Sequence, residues 1–437
     1  MQDHPDAQLT AILHKLGLTE RSLQKHTLRP ADAGDSIVQF DLKMPGDGDP
    51  DKEPNLPPPA PGWFYRLNVT GLLNDLQSIL RKCLSGYSMQ LRRNGRILFT
   101  DSYRMAILAG DGGPSQPAGV SWTTDVPMHV ASLSKLITAM AMTRVLEYHN
   151  ISPDALIWPY LPKYWTRGPG IDSITFRHLL NHTSGLVVPG APGACDYLFM
   201  KDRIAHGGSG FPGYLNINYA LCRILISTID APWLFDLLPT TNDTYWDLTT
   251  TRYYVSYVND NILTPSGVSS SLDHTDECAL AYPVPPMAPG WNSGDQSPRS
   301  AAVGWHFSVN DVLAIMATFR RSGAILPPFS SQRMLDRQFG IDAIRDTNLG
   351  RIYAKGGFWS EGKGVTVEQC NAFFLPKGME LVILANSTFC APDKGFMYDV
   401  LGVIEKNIEL NLLKATVTAA GIFAALGLIT KKVRAKR

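Results

Sequence analysis

His129-Val130-Ala131-Ser132-Leu133-Ser134-Lys135, running on into Leu136-Ile137-Thr138-Ala139-Met140-Ala141, is the segment on which the fold reading rests. Leu133, Leu136, Ile137, Met140, Ala141 and Val145 cover most of a helical circumference, which predicts a buried helix. It ends near Asn150, with Pro153 beyond. Ser132 stands at the helix start and Lys135 one turn later, so both share a face. A serine hydroxyl is a poor nucleophile until a neighbour takes its proton. A lysine amine held away from water has a lowered pKa and can be that neighbour. The helix start adds N–H groups and a positive dipole end, both suited to a developing oxyanion. Alone, this S-x-x-K spacing fits equally well an N-cap serine followed by a solvated lysine.

Working outward, Leu72, Leu73, Leu76, Ile79 and Leu80 mark a helix ahead of this segment. Tyr87–Leu91 and Arg96–Thr100 flank Arg93-Asn94-Gly95, where Asn-Gly signals a tight hairpin. Strands return at Ala372–Leu375 and Leu381–Ala385, joined by Pro376-Lys377-Gly378. Strands at both ends of a helical middle predict an α+β body with one antiparallel sheet flanked by helices and a helical subdomain inserted in it. That body is read as residues 63–410. Residues 1–62 form an extension whose Met44–Gly62 stretch is rich in proline and acid, a linker composition. Asp47, Asp49 and Asp51 there resemble a calcium loop, but Lys52 and Pro58 occupy the positions of its glycine and glutamate. That stretch therefore reads as a solvated loop.

The chain is 44% hydrophobic and 18% charged, which argues against wholesale disorder. Its 40 basic and 39 acidic residues give a net charge of +1, so no electrostatic footprint for nucleic acid is present. A small, weakly charged molecule is the expected partner. The six cysteines (Cys83, Cys195, Cys222, Cys278, Cys370 and Cys390) are scattered without a C-x-x-C pair and read as buried free thiols. His178 and His182 have the spacing of a zinc-binding helix face but lack the H-E-x-x-H glutamate. No metal and no organic cofactor are expected.

Two further segments add to the first. Gly213-Tyr214-Leu215-Asn216 and Lys355-Gly356-Gly357 follow Ala131-Ser132-Leu133-Ser134-Lys135 along the chain. Together they resemble the three motifs of the class C β-lactamase, D-alanyl-D-alanine carboxypeptidase and carboxylesterase family. Ile174–Leu186, Asn261–Gly267 and Ala302–Phe319 are similar to its intervening segments, the last as a small-residue turn and an Asp-initiated helix. The resemblance implies the β-lactamase/transpeptidase-like fold, with the third motif on an edge strand. It also implies a serine hydrolase: Ser132 as nucleophile, Lys135 as its base, and Tyr214 as a phenolic base or proton relay. Asn216 would bind the substrate and Lys355 would supply positive charge. The backbone N–H groups of Ser132 and Phe358, the latter following Gly357, would form the oxyanion hole.

The family often has threonine where this chain has Gly356, and Phe358 and Trp359 make the rim bulky. Both departures favour ester or amide substrates over efficient lactam hydrolysis. In 231–300, Trp233, Tyr245, Trp246, Tyr253, Tyr254 and Trp291 are read mostly as core, with a share in the acyl pocket. A non-catalytic membrane-tethered scaffold of the same fold, or an acyltransferase using the same acyl-enzyme, are the competing functions.

The amino terminus lacks the basic start and apolar run of a secretory signal. A helix is expected over Lys394–Leu410. Beyond it, Asn411–Thr430 would span about 30 Å as a helix, and the tail closes on Lys431, Lys432, Arg434, Lys436 and Arg437. Membrane contact through 411–437 stands beside a surface-packing helix as its reading.

Overall fold

Asn94 and Gly95 both adopt positive φ, 50° and 82°, the conformation of a two-residue hairpin turn that glycine meets without a Cβ penalty. That turn joins β2 (Tyr87–Arg93) to β3 (Arg96–Tyr103) and starts the main sheet. The computed structural model describes residues 65–186, 195–208, 213–236, 242–287, 289–361, 366–389 and 395–411. The other strands in chain order are β1 (Tyr65–Leu67), β4 (Met105–Ile107), β5 (Val120–Ser121), β6 (Met128–His129), β7 (His306–Phe307), β8 (Ala343–Thr347), β9 (Gly350–Ser360), β10 (Val367–Leu375), β11 (Met379–Ala385) and β12 (Ile408–Leu410). Six of them form one sheet in the order β3-β2-β11-β10-β9-β8, every pair antiparallel.

β10 and β11 are buried along their whole length, which explains their near-continuous apolar sequence. Alternate side chains go to opposite faces. Leu381, Ile383 and Phe373 enter one core with Leu72, Leu76 and Leu80 of α1 (Val69–Cys83) and with Val400, Leu401 and Ile404. Val382, Leu384 and Phe374 enter a second, larger core on the other face. The helices over that face are α2 (Ser134–Tyr148), α3 (Phe176–Leu180), α4 (Tyr197–His206), α5 (Asn216–Asp230), α6 (Pro232–Asp236), α7 (Asp243–Val258), α8 (Val309–Arg321) and α9 (Pro328–Asp336). Fully burying one such aliphatic side chain contributes about 1.5–3 kcal/mol, so the two cores hold the sheet from both sides. This is the antiparallel sheet with an inserted helical subdomain expected from the sequence.

Three local readings need correction. The helix expected over Lys394–Leu410 is α10 (Phe396–Lys406); Ile408–Leu410 is a strand instead, pairing with β1 in the register Tyr65↔Leu410. An Ile-Glu-Leu triplet satisfies a helical and an extended period alike, and the partner strand decides. The helix of the Ala302–Phe319 segment is capped by Ser308, not by an aspartate. Asp311, three residues on, completes a reciprocal capping box. Lastly, Lys355 lies on β9, which is covered by β8 and is not the sheet edge. Residues 1–62 and the tail beyond 411 lie outside the described residues. Among those described, no helix is long and apolar enough to cross a membrane. Cys195, Cys222, Cys278 and Cys370 are free and buried.

Candidate active site

Ser132 sits in a single 3-10 turn, Ala131–Leu133, that feeds directly into α2. Ala131 adopts φ 46°, a left-handed conformation that costs a residue with a side chain about 1–2 kcal/mol. The surroundings hold it there. Val130 donates its N–H to Trp305 O at 2.9 Å, and the Cys370 thiol donates to Val130 O at 3.1 Å. Gly357 on β9 presses against the same turn: a Cβ there would lie 2.2 Å from Val130 O and 3.1 Å from Leu133 N. Only a glycine lets the strand approach so closely.

Lys135 is fully buried on α2, and its Nζ has three oxygen partners. They are Ser132 Oγ at 2.9 Å, Asn216 Oδ1 at 2.7 Å and the Ala302 carbonyl at 2.9 Å. A neutral amine has two N–H bonds and one lone pair. If the amine is neutral, spending its two donors on the carbonyl oxygens of Asn216 and Ala302 would leave its lone pair for the serine hydroxyl. Burial holds Lys135 well below the usual lysine pKa, and the charge of Lys355 pushes the same way.

Tyr214 lies just before α5, and Asn216 is its first residue. Asn216 does not cap that helix; its side-chain oxygen reaches back to Lys135. The Tyr214 hydroxyl is bonded to Ser132 and accepts from Lys355 Nζ at 3.2 Å. Burial raises the phenol above its ordinary pKa despite the pull of Lys355, so it keeps its proton at neutral pH. Lys355 in turn donates to Asp342 Oδ1 at 2.6 Å. Burial, the largest single influence, would lower this lysine, but Asp342 and Tyr214 together outweigh it and hold Lys355 above the ordinary value, as an ammonium.

Ser132, Lys135, Tyr214, Asn216 and Lys355 are thus brought together by α2, α5 and β9. Gly357 abuts the serine turn, and Phe358 follows it on β9 opposite Gln369. A side chain at Gly356 would point at Asn371 Oδ1, Met397 and Asp342. Trp359 and Trp291 pack on Ala131 and Val303, forming an aromatic rim beside the serine turn. Of the other aromatics in the inserted region, Trp246 and Tyr254 are core, whereas Trp233 is 57% exposed.

Two contributors were not read from the sequence. Asp342 fixes Lys355 and also accepts the Gly356 N–H at 2.9 Å; it lies in a turn with no motif around it. His182 stacks on Tyr214 with ring centroids 4.1 Å apart. Its Nδ1 accepts from Leu215 N and faces Asn218 Nδ2, each at 3.2 Å, and burial keeps the ring neutral. His178 is spent on its own helix, its Nδ1 accepting from Thr175 N at 3.2 Å. The two histidines singled out by their spacing therefore have separate structural partners.

Comparison with known proteins agrees with this architecture. Residues 76–234 match the family model described as Beta-lactamase. Esterase EstB of Burkholderia gladioli is 32% identical over 133 residues, covering 29% of this chain. The match spans 32% of that esterase, about a third of its length. The octameric penicillin-binding protein homologue from Pyrococcus abyssi superposes with a TM-score of 0.54 at 18% identity, over 77% of each chain. A D-stereospecific amidohydrolase from Streptomyces sp. gives 0.54 at 18% identity, over 77% of this chain and 98% of its own. At such identities the structural likeness is one of fold.

Proposed function

We propose that this chain, of which residues 76–234 match the Beta-lactamase family model and whose fold is β-lactamase/transpeptidase-like, is a serine hydrolase acting through an acyl-enzyme on Ser132. The observation that carries the reading is the fully buried Lys135 Nζ lying 2.9 Å from Ser132 Oγ, with burial lowering its pKa well below the usual lysine value. Lys135 takes the hydroxyl proton as Oγ attacks a carbonyl carbon. The backbone N–H groups of Ser132 and Phe358 receive the developing oxyanion. Tyr214, a phenol bonded to Ser132 and Lys355, passes a proton to the leaving group and is reprotonated from Lys135. Water then attacks the acyl-enzyme, and the same groups return the serine.

Esters and amides are the proposed substrates. The curated relative is an esterase and one fold neighbour is an amidohydrolase. The Trp291–Trp359 rim favours a bulky apolar acyl group. Transfer to an alcohol or amine in place of water would use the same intermediate, and product analysis with added alcohol separates the two outcomes.

Incubation with a fluorophosphonate, followed by intact-mass and peptide mass spectrometry, tests the nucleophile. A single adduct on Ser132, absent in Ser132→Ala, is expected. No adduct with fluorophosphonates, activated esters or penicillin would leave the non-catalytic scaffold as the reading.

A further inference from the structure

Away from Ser132, the described residues contain a cluster with metal-ligating chemistry. His274, Cys278 and His306 each offer one ligand atom, and these atoms lie within 4.8 Å of one another. Cys278 and His306 are 2% and 3% exposed, while His274 lies at the margin. His306 Nδ1 lies 3.3 Å from the Ser271 carbonyl. Its proton belongs on that nitrogen, which leaves Nε2 as a bare lone pair. That Nε2 is buried and has no hydrogen-bond partner, and neither has Nδ1 of His274. A buried polar atom left unsatisfied costs about 1–3 kcal/mol. Two histidines that each hold an unsatisfied ring nitrogen, grouped with a buried thiol, are a set that a lone-pair acceptor would satisfy.

We propose that His274, Cys278 and His306 bind a divalent transition-metal ion, zinc by the character of the donor set. Two imidazoles and one thiolate suit zinc rather than calcium or magnesium. Zinc bond lengths of about 2.0–2.1 Å to nitrogen and about 2.3 Å to sulfur imply ligand atoms about 3.5 Å apart in a tetrahedron. The three side chains would therefore close by at most about 1.3 Å on the ion, with the fourth position left to water. Binding replaces the Cys278 S–H bond by a sulfur–metal bond and releases that proton to solvent. Asp273, Asp276 and Glu277 are exposed along the same segment and add negative potential for a cation.

The position gives the ion a structural consequence. His306 pairs with His129 across β6 and β7, and the serine turn begins at Ala131. The Ala302 carbonyl that receives Lys135 lies just upstream of His306. A metal tying the 274–278 segment to β7 would brace the strand pair that leads into the nucleophile turn. The inference does not depend on the hydrolase reading.

Metal analysis of the full chain, stripped with chelator, reloaded with zinc and dialysed, is the first arm. One zinc per chain is expected. Cobalt substitution of the same protein should give a near-ultraviolet thiolate-to-metal charge-transfer band and intense visible bands of tetrahedral geometry. Cys278→Ser should lose the charge-transfer band, and His306→Gln the stoichiometric zinc, whereas Ser132→Ala should keep both. Absence of stoichiometric zinc and of the cobalt band in the folded wild-type chain would overturn the proposal, whatever the variants do. So would a charge-transfer band that survives in Cys278→Ser.

Discussion

Lys135 and Lys355 place their amines 5.1 Å and 5.2 Å from the same Tyr214 ring, yet their environments drive them apart. Asp342 helps to raise the pKa of Lys355, while burial and the charge of Lys355 push that of Lys135 down. A base of this kind works only when unprotonated, so acylation should rise as pH climbs through the folded pKa of Lys135. In Lys355→Met the positive neighbour is gone and Asp342 is left unpaired. Both changes favour protonated Lys135, so the acid limb of the pH–rate profile should move to higher pH. Stopped-flow acylation with an activated ester across a pH series reads this directly; a limb that stays in place or moves down contradicts the assignment. Lys135→Ala should slow acylation by about 10²–10⁴-fold, the range of a lost general base. The Ser132–Lys135 pair was legible because helical spacing is local and needs no tertiary information. Asp342 was not, since its role arises only when β8 lies beside β9 and its carboxylate meets an amine on the neighbouring strand.

At the scale of elements, the contact that matters most is β9 against the 3-10 turn Ala131–Leu133. Gly357→Ala would put a methyl group 2.2 Å from Val130 O, a backbone atom with little freedom to yield. The strand must back away, at about 1–3 kcal/mol of stability, and Phe358 retreats with it. Acylation of Ser132 should therefore slow much more than substrate binding weakens. Thermal melting together with separate kcat and KM values would show it; a variant as stable and active as the parent would remove β9 from the argument. Here the sequence reading was partial. The β2–β3 hairpin was evident from Asn94-Gly95, and β10 and β11 from their apolar runs. The length of β9 was hidden, because Gly356 and Gly357 lower strand propensity where the fold needs a close approach. The exchange of helix for strand at Ile408–Leu410 has a similar origin: three residues carry too little periodicity, and their partner lies at the far end of the described chain.

For the molecule as a whole, the sheet separates two cores, and only one of them borders the site. Ile383, fully buried, faces the α1 and α10 side. Ile383→Ala should cost about 2–5 kcal/mol and lower the melting temperature. The pH profile of acylation, measured well below that temperature, should not move. A changed profile would mean that the far core tunes the lysines through the sheet. The pairing of Tyr65 with Leu410 has a topological consequence. The polypeptide enters and leaves the fold at neighbouring points, so a short linker could join them and new termini could be opened at the Asn94-Gly95 tip. Such a circular permutant would preserve the order of Ser132, Tyr214 and Lys355 along an uninterrupted chain. Without permutation, the same pairing sets the two ends of the described fold side by side, so a group attached at one is held close to a group attached at the other.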